Sequence, residues 1–119
     1  MTALAYISQI GDREIRFGLS DAEIGRFPSW PPEQAIPLTF KQVIEIAAKE
    51  LPELLHGAKG WYVKGISLEQ VLRSPDGNGK WVYLVKFGGI GDNEDLCVPV
   101  TFLGLAVKGI EQKQSKEQR

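Results

Sequence analysis

The sequence predicts an α+β fold in which one long helix packs on an antiparallel meander sheet of three to five strands. Three observations predict it. The stretch from Pro37 to Leu51, PLTFKQVIEIAAKEL, places Phe40, Val43, Ile44, Ala47, Ala48 and Leu51 on one stripe at helical spacing. Trp81 to Phe87, WVYLVKF, and Leu96 to Leu103, LCVPVTFL, are rich in the aromatic and β-branched residues that suit a pleated, half-buried surface. Between the strand signals lie the turn-forming runs SPDGNG (74–79) and GGIGDNED (88–95).

The helix carries its own start and stop signals. Thr39 and Gln42 have capping-box spacing, with Leu38 and Val43 at the staple positions. Lys41, Glu45, Lys49 and Glu50 fall off the apolar stripe, and Ile46 points away from its centre. Pro52, which has no amide hydrogen, is expected to end the helix.

The remaining elements follow in chain order. Residues 3–18 read as two β-leaning arms about Gly11-Asp12. A hairpin with a type II′ turn is one reading and a single strand with a loop is the other. Ser20 and Glu23 repeat the capping-box spacing, so a short helix is expected from Asp21 to about Arg26. Residues 27–37, FPSWPPEQAIP, hold four of the seven prolines and form an extended connector, in which Trp30 is expected to latch onto the domain. After a loop at 56–60, a long strand is expected from Trp61 to Leu72, with Gly65 as a bulge. Pro99 places the strand at 96–103 at an edge or a bulge. Gly104 can turn the chain into a last strand near 105–110. The tail 111–119, EQKQSKEQR, has nothing apolar to bury and is expected to be disordered. The organisation is thus a single domain over 1–110: an N-terminal hairpin or short helix (1–26), the connector (27–37), and the helix plus sheet (38–110).

Both faces of the predicted sheet are apolar. Trp81, Tyr83, Val85 and Phe87 face one way, and Val82 and Leu84 the other. One helix covers one face, so the second must meet the N-terminal segment, a partner subunit or a ligand.

Charge excludes some partners. Residues 1–59 carry 6 basic and 8 acidic side chains, and residues 60–119 carry 8 and 7. Neither half has the basic excess of a nucleic-acid or anionic-membrane surface. The chain has one Cys and one His, so no intrachain disulfide and no multi-histidine or thiolate metal site is expected. No run is long enough to span a membrane. Ala3-Leu4-Ala5 has the form of a signal-cleavage site. The compartment stays open between export with the signal removed and the cytoplasm.

No motif carries chemistry. Gly88-Gly89-Ile90-Gly91-Asp92 has no following helix to present to a phosphate. Asp76 to Lys80 lacks the ligands of a calcium loop at the later positions. His56, just past the helix, suits the negative end of its dipole better than a general base. Cys97 lies among apolar strand neighbours, as a small core residue would.

The elements PSWPPE…IPLTFKQVIEIAAKEL…GWYVKGISLEQV…KWVYLVKF, over roughly 27–110, resemble small uncharacterised bacterial proteins. Their helix-on-meander order resembles PepSY-like and cystatin-like α+β domains. That resemblance implies a regulatory, inhibitor-like binding module without catalytic or cofactor residues.

The expected function is therefore a non-catalytic binding or regulatory module, with no cofactor and no metal. It would act on a protein partner or on itself through an aromatic sheet face, with Trp30, Trp61, Trp81, Tyr83 and His56 as candidate contact residues. The alternatives are a small ligand-binding protein or enzyme with a pocket between helix and sheet, and a structural homodimer.

Overall fold

The computed structural model describes residues 2–10, 13–31, 35–54, 60–73, 79–91 and 94–113. The Gly11-Asp12 turn, His56, most of the 74–79 turn, Asp92-Asn93 and residues 114–119 lie outside the described residues.

The architecture corrects the expected one. The described residues are mostly antiparallel sheet, and among them are three short helices and no long helix packed on a sheet. Its order is β1 (Thr2–Ile10), β2 (Arg13–Ser20), α1 (Asp21–Gly25), α2 (Phe40–Ala48), α3 (Leu51–Leu54), β3 (Tyr62–Arg73), β4 (Gly79–Gly91), β5 (Glu94–Thr101) and β6 (Gly109–Lys113). The strands form two three-stranded sheets, ordered β1-β2-β6 and β3-β4-β5.

The long helix is divided by its proline, earlier than expected. Both halves of the Thr39–Gln42 capping box form. The missing amide of Pro52 cannot donate to the Ala48 carbonyl, and α2 ends there. The Glu50 amide bonds back to Ala47 at 3.1 Å, a tightened last turn. Pro52 then sits in the first turn of α3, where an amide hydrogen has no intrahelical partner in any case. The buried stripe is narrow: Val43, Ala47, Leu51 and Leu54. Phe40, expected inside, is 51% exposed, and Ile46, expected outside, packs against the core.

The meander follows from alternation. Tyr83, Val85, Phe87, Leu96, Val98 and Val100 are fully buried on one face, and α2 lies against β4 and β5. The chain irregularity between Val63 and Gly65 in the β3–β4 pairing is a bulge at the expected glycine. β4 runs on through Gly88–Gly91, read from sequence as loop. Of the two glycines that open this stretch, Gly89 is the one that must lack a side chain. A Cβ on Gly88 would meet the Lys64 stem at 2.5 Å, and Gly89 has φ +80 with the Gly60 carbonyl 2.6 Å from where a Cβ would stand.

The second face is buried only in part, and Ser67 and Lys86 on it are exposed. Val82, Pro99 and Thr101 are buried there. Ile15, Phe17 and Leu19 of the β1–β2 hairpin belong to the same buried core as Val43, Ala47 and Leu51. β1 lies along β5, where the Ser8 hydroxyl accepts from the Cys97 amide at 3.1 Å. The last strand comes later than expected. Gly109–Lys113 pairs with β2, so Glu111 is strand rather than tail. Gly109 fits beside Phe17, Ile15 and Leu54 because it has no side chain.

Candidate binding surface

The aromatic residues singled out from sequence fall into two places. Trp30 stands edge-on to Trp81 (ring centroids 5.5 Å apart) and to Phe102 (5.6 Å), and Phe102 meets Tyr83 at 4.8 Å. Trp30 also uses its polar ends. Its amide donates to Gly79 at 3.0 Å and its indole to Ala35 at 3.1 Å. The Tyr83 hydroxyl accepts from the Leu38 amide at 3.0 Å and donates to the Leu38 carbonyl at 3.2 Å. Burial raises its pKa, and the Leu38 bond opposes the rise. The group therefore staples the proline-rich connector and the entry of α2 to β4, and little of it faces solvent. The Trp81 indole N–H is buried and makes no hydrogen bond among the described residues. Trp61 lies apart, edge-on to Phe87 at 5.5 Å and 38% exposed.

The surface that sequence reading missed lies between α1 and the turn after β5. It is a hollow of about 400 Å³ whose lining includes Leu19, Phe27, Leu103, Leu105, Val107 and Ile110, with Glu23, Arg26 and Lys108 at its border. Leu103, Leu105 and Ile110 are 56%, 63% and 65% exposed. Sequence alternation assigns Leu103 and Leu105 to strands, where apolar residues read as core. What turns them outward is a turn built on Thr101. Its amide donates to the Leu105 carbonyl at 2.8 Å, and its hydroxyl accepts from the amides of Leu103 (3.2 Å) and Leu105 (3.3 Å). Gly104 completes the turn with φ +85. The Val107 amide then donates to Pro99 at 2.9 Å, pinning the far side.

The opposite wall is positioned as firmly. Ser20 and Glu23 form a complete capping box on α1. The Ser20 amide and hydroxyl hold the Glu23 carboxyl below its usual range, and Arg26 adds to the effect. Lys108 pairs with Glu50, between α2 and α3, at 3.1 Å. The result is an apolar concavity with Glu23, Arg26 and Lys108 among its lining residues.

The remaining reactive groups stand elsewhere. Burial pushes the Cys97 thiol up, helped by Asp95 and opposed by Lys86, so it is a weak nucleophile near neutral pH. Among the described residues, no three His, Cys, Asp or Glu side chains are grouped so as to hold a metal ion, and no helix is long and apolar enough to cross a membrane. No protein-family model, curated protein or solved structure matches the chain.

Proposed function

We propose that the protein is a non-catalytic binding module that takes apolar side chains of a protein partner into the hollow between α1 and the Thr101 turn. The observation that carries this reading is the outward presentation of Leu103, Leu105 and Ile110 around an apolar concavity, on a turn held by its own hydrogen bonds. A self-bonded turn loses little freedom on association, which favours binding. The aromatic cluster contributes indirectly, because Phe102 anchors the turn against Trp30 and Tyr83.

Cross-linking pull-downs from the native host with Leu105→Asp, and with Ile7→Asp on β1, outside the lining of the hollow, as control, test the reading. The expected result is a partner retained by the wild type and Ile7→Asp and lost by Leu105→Asp. Equal capture by all three would overturn it. The volume of the hollow also suits a small apolar ligand, since such sites run from about 300 to 1,000 Å³. That second reading predicts a raised melting temperature with small apolar compounds, abolished by the same aspartate.

A further inference from the structure

β3 is an edge strand of twelve residues, and among the described residues it pairs with β4 alone. An open edge of that length is a template for another strand. Its irregularities lie one on either side of Ser67, between Val63 and Gly65 and between Gln70 and Leu72, leaving 65–70 regular.

The regular part is self-complementary. In register with β4, Ile66 and Leu68 share the face of Val85 and Tyr83, while Gly65, Ser67 and Glu69 share the face of Lys86, Leu84 and Val82. A two-fold axis through Ser67 would set Ile66 of one copy opposite Leu68 of the other, twice. It would also set Glu69 of each copy opposite Gly65 of its mate. Beside Gly65 is a hollow of about 260 Å³ lined by Lys64, Ile66, Ser67, Leu84 and Lys86, open because Gly65 has no side chain. Lys64 is engaged with Asp95 at 3.2 Å, and Lys86 has no ion-pair partner among the described residues. A carboxylate opposite Gly65 stands two strand spacings from Lys86, roughly 10 Å between backbones, with no intervening side chain. The two long side chains can meet across that gap. Further out, Tyr62 (55% exposed) comes level with Leu72 (49% exposed) of the mate.

We propose that β3 pairs antiparallel with β3 of a second copy, joining two β3-β4-β5 sheets into one six-stranded sheet, with Glu69 of each copy facing Lys86 of the other. The closed two-fold arrangement uses each contact twice and leaves no open edge at the joint. A strand-edge contact buries little area, so the dimer is a weak one that forms with rising concentration.

Sedimentation over a concentration series tests this on the full chain. The wild type is expected to dimerise, with the β3 amides slowing in hydrogen exchange as it does. Lys86→Glu and Glu69→Lys should each weaken the dimer by about tenfold or more, since like charges then face each other. An equimolar mixture of the two variants should recover it, because the mixed dimer restores both opposite-charge pairs. A wild type that stays monomeric throughout would overturn the proposal. So would a dimer that both variants leave unchanged, or a mixture no tighter than its components.

Discussion

Ser8 on β1 accepts a hydrogen bond from the Cys97 amide on β5, 3.1 Å away, at the line where the two sheets meet. β5 pairs with β4 on its other side, so the serine hydroxyl stands where a ladder carbonyl would otherwise be. Ser8 is 5% exposed. Ser8→Ala is expected to cost about 1–3 kcal/mol, the penalty of a buried amide left without an acceptor. A lowered urea midpoint at unchanged slope would show it, together with faster exchange of the Cys97 amide.

Tyr83→Phe removes both hydrogen bonds to Leu38 while keeping the ring against Phe102. The loss is expected at about 1–3 kcal/mol. Because the ring stays, folded-state tryptophan fluorescence should change little, whereas the thermal midpoint falls.

Two glycines separate space from conformation. At Gly109 a Cβ would stand 2.7 Å from the Phe17 ring and 2.9 Å from Ile15, inside the core. Gly109→Ala should destabilise by about 1–3 kcal/mol through overpacking. Gly25, with nothing within 4 Å of its Cβ position, sits in α1. Gly25→Ala should be neutral or stabilising by up to about 1 kcal/mol, by reducing the freedom of the unfolded chain. Chemical denaturation of the pair checks both.

Alkaline stability should respond to Tyr6. Burial, then the nearby Glu69 and Cys97, push its pKa from 10.0 up to about 12. The folded state therefore holds this proton more tightly than the unfolded chain. The resulting stability is complete below pH 10 and is lost as the pH rises to about 12. Tyr6→Phe should flatten that part of the stability profile, and phenolate absorbance should show one fewer late-titrating tyrosine.

Much of the local structure is legible along the chain because its causes lie within a few residues. The capping boxes of Thr39 and Ser20, the turn at Gly104 and the bulge at Gly65 each depend on one or two side chains or on a missing Cβ. The length of the helix was legible too, given full weight to Pro52: the lost bond is to Ala48, four residues back, so the helix stops before the proline rather than at it. The candidate hollow was hidden because Leu103 and Leu105 are apolar, and alternation cannot distinguish a residue facing the core from one thrown outward by the hydrogen bonds of Thr101.

Alone, the sequence determined the caps of α1 and α2, the bulge beside Gly65 and the buried alternation of Tyr83, Val85 and Phe87. How the two sheets meet was decided by tertiary structure. β6 must cross nearly the whole chain to reach β2, and Ser8 must meet an amide 89 positions away. Pairings of that range leave no trace in local periodicity. They depend on the shape the core takes once Phe17, Ile15 and Leu54 close around the space that Gly109 leaves.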